Sequence, residues 1–331
     1  MKFQNETKNQ HYLSQIEQRF NAINPSAKHT HQKIYSYKLI DRESHAFKLE
    51  NSGGLKIEKT LSLDHLFSFE VIKKKNIIYN FENLFNQYES TIKENTESLL
   101  KKTRMATGED VKKEVLNLFL SKFLNFLRNP YSIHKVLNTF SQVKNIKPTS
   151  THHLENFEKV LSGRKPHQQH LCKELRITDA DYRDWLSIIF LVLENLEEGK
   201  PNILENLTKG LYENKDHGIE ITLATYENES CLLSDRGFGI PAEDSDTLSY
   251  SFNLNSKSFI NYTFIDINRI IPKGFPKKII ELYKATPKTI NVHHTHNDLK
   301  LLEAYNKNIA YQCHERVFCS SKTCHGIHIL S

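Results

Sequence analysis

One segment of the chain is apolar on nearly every side, and it fixes where a core must form. The sequence Thr178-Asp179-Ala180-Asp181 has the pattern of a capping box, which begins a helix, and Gly199 is placed to end it. The apolar residues between them include Trp185, Ile188, Ile189, Leu191, Val192 and Leu196. Because a helix that is apolar all round must be covered by protein, we predict that this is the central buried helix.

The segments before this helix show mixed periodicity. A helix is predicted over His11 to Ala22, and a β-hairpin over Lys33 to Glu50, where aromatic and β-branched residues flank a polar turn. Two further helices are predicted from Phe81 to Leu99 and from Val111 to Leu127. The stretch from Gln142 to Arg176 is polar and contains two prolines, and it is predicted to form helix fragments and exposed connections.

After the central helix the pattern changes to strands. They are predicted at Ile219–Thr225, Cys231–Ser234, Leu248–Leu254 and Phe259–Ile265, followed by a helix capped by Thr295–Asp298 and a strand at Val317–Phe318. The predicted class is α+β, with a helical middle and a mainly antiparallel sheet formed by the N-terminal hairpin and the C-terminal strands. The 331 residues form either one large domain or two closely packed lobes, 1–176 and 177–331.

Charge and cysteine content bear on location and partners. The net charge of +6 suits a nucleic acid or another polyanion, and equally an ordinary solvated surface. Basic clusters occur at Lys73-Lys74-Lys75, at Lys101-Lys102-Arg104 and at Lys273-Lys277-Lys278. The N-terminus lacks a secretory pattern, the longest apolar run is too short to span a bilayer, and five unevenly spaced cysteines do not resemble a disulfide framework. We therefore predict a cytoplasmic protein without a membrane partner.

The segment Leu232 to Pro241 contains an Asp-x-Gly-x-Gly sequence. Together with Asn202 to Asn206 upstream, it resembles the asparagine and glycine boxes of histidine-kinase-type ATPases, with Asn206 and Asp235 in suitable order. After Gly239 only Gly274 and Gly326 remain, so the glycine-rich turn that would cradle phosphates in such an enzyme is missing. A divergent ATPase therefore remains a hypothesis, and we rank it below the two other functions considered for this chain.

A different resemblance extends over nearly the whole chain. The opening Asn9-Gln10-His11-Tyr12-Leu13-Ser14-Gln15 resembles that of a bacterial family called domain of unknown function 4238, although Ser14 stands where proline is usual. Lys33–Tyr37 and Phe81–Glu89 match its next strand and first long helix. The later matches are Leu232–Phe238, Ser251–Asn255 and Asn297–Arg316. The activity of this family is not established, and the resemblance implies an association with defence against phage.

The candidate site residues come from these shared segments. His11 is a candidate general acid or base near neutral pH, and the alternative is that its ring caps a backbone group. Asp235 either orients a histidine, binds a metal or holds a turn, the last being the common role of aspartate before Arg-Gly. We predict that His11 and Asp235 share one site with Arg236 and with Asn297 or Arg316.

The C-terminal tail contains several soft metal ligands. The candidates are Cys313, His314, Cys319, Cys324 and His325. Zinc requires four such ligands, but the spacing is looser than in a zinc ribbon, so free thiols are the favoured interpretation. The sequence leaves open whether a divalent metal is a cofactor.

These observations lead to a first hypothesis of a nuclease or toxin-like hydrolase that acts on RNA or DNA in antiviral defence. It rests on the basic chain and on histidine, aspartate and arginine residues suited to acid–base work and phosphate stabilisation. The alternative is a non-enzymatic module that binds a partner protein of a defence system, in which His11 and Asp235 only stabilise the fold.

Overall fold

A computed structural model describes residues 2–72, 75, 77–104, 110–197, 199–244, 246–271, 274–286 and 290–330. The fold is α+β, with 43% helix and 24% strand, so the predicted class is confirmed. Among the helices of these ranges, none is long and apolar enough to cross a bilayer. Lys73, Lys74 and Lys273 of the basic clusters lie outside the described residues.

The central helix begins where it was predicted, but it ends at Leu193, before Leu196 and Gly199, because Glu194 adopts an extended backbone conformation. Helix α8 spans Asp179–Leu193, and Thr178 and Asp181 make the reciprocal hydrogen bonds of a capping box. Every residue from Trp185 to Leu193 is buried. The Trp185 indole N–H donates to the carbonyl of Leu127 at 2.8 Å, so the polar atom of this large side chain is satisfied inside the core.

In the described ranges, seven α-helices precede α8 in the chain and four follow it. The predicted helix from Phe81 is interrupted, because the backbone N–H and hydroxyl of Thr91 both donate to the carbonyl of Tyr88 and end its first half. The helices are α1 Gln15–Arg19, α2 Glu82–Glu89, α3 Ile92–Arg104, α4 Lys112–Arg128, α5 Ile133–Thr139, α6 Thr151–Ser162, α7 Gln168–Leu175, α9 Ile203–Glu213, α10 Ile267–Ile270, α11 Lys277–Ala285 and α12 Leu299–Gln312.

A six-stranded sheet joins the two ends of the chain. The strands are β2 Lys33–Asp41, β3 Ala46–Leu49, β4 Leu55–Lys56, β9 Leu233–Ser234, β13 Arg316–Cys319 and β14 His328–Leu330. The hairpin β2–β3 pairs with C-terminal strands in the order β14-β3-β2-β13-β9, and β4 pairs with β2 outside this path. All of these pairs are antiparallel except β14 with β3.

The remaining C-terminal strands form a separate sheet, where the sequence indicated only one. Its strands are β8 His217–Thr225, β10 Thr247–Asn255, β11 Ser258–Asp266 and β12 Val292–His296. Their order is β10-β11-β8-β12, with β12 parallel to β8. Two small antiparallel pairs lie elsewhere: β1 Asn9–His11 pairs with β5 Ser62–Asp64, and β6 Ser68–Ile72 pairs with β7 Ile77–Asn80.

The predicted helix at His11 is shorter than expected. His11 belongs to β1, and the helix begins only after Ser14, whose hydroxyl accepts the N–H of Ile16 at 3.1 Å. The position where proline is usual in the resembling family is therefore an N-cap.

A chain of buried charges runs along α4 and packs against α1 and α2. Lys122 and Glu17 are both almost completely buried and form an ion pair. Asn125 donates to Glu17 Oε2 at 2.9 Å, and Arg128 forms an ion pair with Glu89. We call Glu17, Glu89, Lys122, Asn125 and Arg128 the Lys122 network.

Candidate functional site

The Asp-x-Gly sequence forms a tight turn directly after β9. The N–H of Gly237 donates to the carbonyl of Ser234 at 3.0 Å and closes the turn. Gly237 has φ of +76°, and a Cβ here would lie 2.5 Å from Leu13 Cδ1. A side chain at this position would therefore be strained and would clash with the N-terminal segment.

The Asp235 carboxylate is buried and binds the loop that follows α12. It accepts backbone N–H groups of His314 at 2.8 Å, Glu315 at 2.7 Å and Arg316 at 2.9 Å. Burial raises the pKa of Asp235, while the three N–H donors act in the opposite direction. Both carboxylate oxygens are thus occupied, and Asp235 positions the 314–316 loop beside Arg236.

Arg236 projects into a cleft between this turn, the end of α12 and the β2–β3 turn. Its Nε atom is buried and has no hydrogen-bond partner among the described residues, which is also true of Arg128 Nε. Unlike Arg128, which pairs with Glu89, Arg236 forms no ion pair within the described ranges. Burial lowers the pKa of Arg236, and the charge of Asp235 opposes this shift. A guanidinium left without an acceptor in a half-buried position is energetically unfavourable, so this group is suited to receiving an anionic ligand.

The cleft has a volume of about 330 Å³. Among the residues described, it contains three basic side chains, Arg42, Lys135 and Arg236, against one carboxylate, Glu243. We call it the Arg236 cleft, and its lining residues are Arg42, Lys135, Arg236, Ile240, Glu243, Tyr311, Gln312, Cys313 and His314.

The basic groups of the Arg236 cleft are not equally available. Arg42 donates to the carbonyls of Cys313 at 2.9 Å and His314 at 3.2 Å, and so neutralises the end of α12. Lys135 is exposed on α5 and forms no ion pair with any residue in the described ranges. Lys135 and Arg236 are therefore the cations that a bound anion would engage.

His314 lies at the edge of the cleft and stacks on Tyr131. Their ring centroids are 3.9 Å apart, with an interplanar angle of 10°. Tyr131 in turn packs edge-on against Tyr12, and the two hydroxyl groups form a hydrogen bond. Burial lowers the pKa of His314, and Asp235 and Glu315 oppose the shift. A neutral imidazole at neutral pH can accept a proton.

His11 reaches this site only through its neighbour Tyr12. The His11 Nδ1 atom is 3.0 Å from the carbonyl of Thr60, and Nε2 is 2.8 Å from the Gln15 side-chain nitrogen. Burial and the charges of Arg128 and Arg19 lower the pKa of His11 to about 4. With Nδ1 donating and Nε2 accepting, both ring nitrogens are occupied, so His11 holds Tyr12 in position.

Of the remaining predicted residues, Arg316 is near the cleft and Asn297 is distant. Arg316 forms ion pairs with Glu50 at 3.1 Å and with Glu315 at 3.2 Å. Asn297 bonds instead to Thr225 and Glu227 at the end of β8. It precedes α12, whose 14 residues separate it from the 314–316 loop by about 21 Å.

The C-terminal cysteine and histidine residues do not gather at one point. The Cys319 and Cys324 thiols hydrogen-bond each other, whereas Cys313 and His314 line the Arg236 cleft. The carbonyl of His325 accepts from Asn306 at 2.9 Å. In the part of the chain that the structure describes, no three or more histidine, cysteine or carboxylate side chains are placed to hold a metal ion.

The two ATPase-like segments also lie apart. Glu205 and Thr208, which neighbour Asn206 on α9, line a cavity of about 450 Å³ that is distinct from the Arg236 cleft. Asn206 donates to the carbonyl of Pro201 at 3.1 Å. Asp235 is bound to the 314–316 loop, so these two side chains do not face a common space.

Several functional candidates were missed by the sequence reasoning. Arg42 belongs to the polar turn of the hairpin, and Lys135 and Tyr131 belong to a segment without a distinctive motif. Tyr12 follows His11 within the Asn9–Gln15 motif, and membership of this motif is the sequence signal that could have revealed it. No family model, curated protein or solved structure matches this chain. The resemblance to domain of unknown function 4238 stays a prediction.

Proposed function

We propose that this protein binds RNA or DNA with a phosphate group in the Arg236 cleft, and that it acts as a nuclease in defence against phage. The observation that carries the proposal is the half-buried Arg236 guanidinium, which forms no ion pair with the described residues and lines the same cleft as the exposed Lys135. Arginine suits phosphate because its planar donors match two phosphate oxygens. A basic chain strengthens such binding without setting sequence specificity.

The chemistry supported by these groups is cleavage of RNA. The neutral His314 imidazole takes the proton of a ribose 2′-hydroxyl, whose oxygen forms a bond to the phosphorus atom. The bond from phosphorus to the 5′-oxygen breaks, and that oxygen takes a proton from water. Arg236 and Lys135 stabilise the charge on the non-bridging oxygens. His11 and Asp235 position Tyr12 and the 314–316 loop, and neither of them contacts the substrate.

A labelled single-stranded RNA tests this proposal, incubated with and without magnesium and with and without a chelator. His314→Phe keeps a ring to stack on Tyr131 but removes the base, so we expect the cleavage rate to fall about 100-fold or more. His29→Ala is the matched control, because His29 is exposed in a separate turn. Full activity of His314→Phe would refute the assigned base, and absence of cleavage by the wild type under every condition would refute the enzyme.

The second candidate is a binding module without turnover. It is favoured by the hydrogen bonds of His11 and Asp235, because these bonds engage both side chains with other parts of the fold. This candidate predicts salt-sensitive RNA or DNA binding, or capture of a defence partner protein, that depends on Arg236 without any cleavage product. Unchanged binding by His314→Phe, together with intact RNA in all samples, would support it.

A further inference from the structure

A second cavity lies between α4, α9 and the segment around α11, away from the Arg236 cleft. Its volume of about 450 Å³ is within the range of small-molecule sites. The aliphatic side chains lining it are Leu116, Leu120 and Ile290. We call it the Tyr212 cavity. A site of this size with aliphatic walls fits the apolar body of a small ligand.

Tyr212 lines this cavity and carries a polar group that the described part of the chain does not satisfy. The residue is 6% exposed, and its hydroxyl is buried without a hydrogen-bond partner among the described residues. The ring is fixed by edge-on contacts with Phe119, at 5.9 Å between centroids, and with Phe264, at 5.7 Å. Because an unsatisfied buried hydroxyl is costly, a ligand acceptor at this position would recover a lost hydrogen bond.

The lining of the cavity is also rich in lysines. Lys284 forms an ion pair with Asp216, and Lys209 Nζ lies 3.9 Å from Glu213 Oε1. The two others, Lys112 and Lys215, are exposed and form no ion pair with any residue in the described ranges. Four lysines thus line the cavity against two carboxylates, Glu205 and Glu213. This excess of positive charge next to aliphatic walls is complementary to a molecule that has both an alkyl chain and an anionic group.

We propose that the Tyr212 cavity binds an alkyl carboxylate. The alkyl chain covers the side chains of Leu116, Leu120 and Ile290. The carboxylate accepts the hydroxyl hydrogen of Tyr212 and is neutralised by Lys112 and Lys215. The site is independent of the nuclease proposal, because none of its lining residues belongs to the Arg236 cleft.

Calorimetric titration of the full chain with decanoate, and separately with decanol, tests this site. We expect decanoate to bind with an affinity at least ten-fold higher than that of decanol, since only decanoate carries the charge. Tyr212→Phe removes a hydrogen bond to a charged acceptor, so decanoate affinity should fall about ten-fold or more. Lys112→Gln combined with Lys215→Gln should weaken decanoate and leave decanol unchanged.

Lys113→Gln is the matched control, since Lys113 is exposed beside Lys112 but does not line the cavity. Thermal melting of each variant checks its fold, and Tyr212→Phe should melt no lower than the wild type because it removes an unsatisfied hydroxyl. Absence of decanoate binding would overturn the proposal. Equal affinity in the wild type, Tyr212→Phe and the double lysine variant would overturn it as well, because the ligand would then bind elsewhere.

Discussion

The Lys122 network and the Arg236 cleft use the same types of charged side chain in opposite ways. In the network, Lys122 and Arg128 are buried and each has a carboxylate partner. In the cleft, neither Arg236 nor Lys135 forms an ion pair with any residue in the described ranges, and Lys135 is exposed. The comparison indicates that the charged side chains of the Lys122 network stabilise the fold, whereas Arg236 and Lys135 in the cleft are available to bind a ligand.

The network also explains how the N-terminal motif is connected to α4. Lys122 donates to the carbonyl of Asn253 at 2.6 Å, so one ammonium group joins α1, α4 and β10. Buried ion pairs are weak evidence for high stability because desolvation opposes them. Breaking one is nevertheless costly, because the remaining charge is left without a partner.

The largest expected effect comes from breaking that pair. Lys122→Met leaves the Glu17 carboxylate buried without a counter-ion, so we expect the free energy of unfolding to fall by about 3–5 kcal/mol. Urea unfolding followed by circular dichroism measures the change. Glu17→Gln combined with Lys122→Met removes both charges and should recover most of the loss. A single variant as stable as the wild type would show that the pair is not committed to folding.

A smaller effect is expected from the pH dependence at His11. Its pKa is about 4 in the folded protein and about 6.5 in the unfolded chain. The unfolded state therefore binds the proton first as the pH falls, and the associated stability is present above pH 6.5 and is lost towards pH 4. Between pH 7 and pH 5 the loss is about 2 kcal/mol.

Comparison of the wild type with His11→Gln at these two pH values isolates this contribution. The variant cannot titrate, so its stability should fall about 2 kcal/mol less than that of the wild type over the same interval. Urea unfolding at both pH values measures the free energy of unfolding of each protein. Identical losses in the two proteins would mean that the His11 ring is not held neutral in the fold.

These contrasts show what the sequence could predict. The capping box and continuous apolar run placed α8, and β-branched residues around a polar turn placed the β2–β3 hairpin, because both signals are local. The burial of Lys122 could not be predicted, since its partner Glu17 is distant in the chain and a lysine on a helix usually faces solvent. The parallel pairing of β12 with β8 likewise depends on tertiary contacts.

The candidate site could be predicted only in part, because the sequence reveals contacts between residues that are close in the chain better than contacts between distant ones. Asp235 and Arg236 are consecutive, so their proximity follows from the chain, and β13 brings Arg316 to the same turn. Asn297 and Arg316 looked equivalent in sequence but lie at opposite ends of α12. His314 looked like a metal ligand in the tail, and only its stacking on Tyr131 identifies it as a cleft residue.

The smallest expected effect on stability is that of Arg236→Gln. Because Arg236 forms no ion pair with the described residues and its Nε has no hydrogen-bond partner among them, its replacement should change the free energy of unfolding by no more than about 0.5 kcal/mol. Urea unfolding checks this value. A loss comparable to that of Lys122→Met would place Arg236 among the residues committed to folding and would remove the contrast between the two regions.

The most direct test is the salt dependence of single-stranded RNA binding by wild type, Arg236→Gln and Arg183→Gln. Arg183 is exposed on α8 and bonds only to its own helix among the described residues, which makes it a control for net charge. Fluorescence anisotropy at several salt concentrations gives affinity and slope. We predict that Arg236→Gln alone weakens binding about ten-fold and reduces the logarithmic salt slope by about one. Equal affinities and slopes in all three proteins would contradict a phosphate site in the Arg236 cleft.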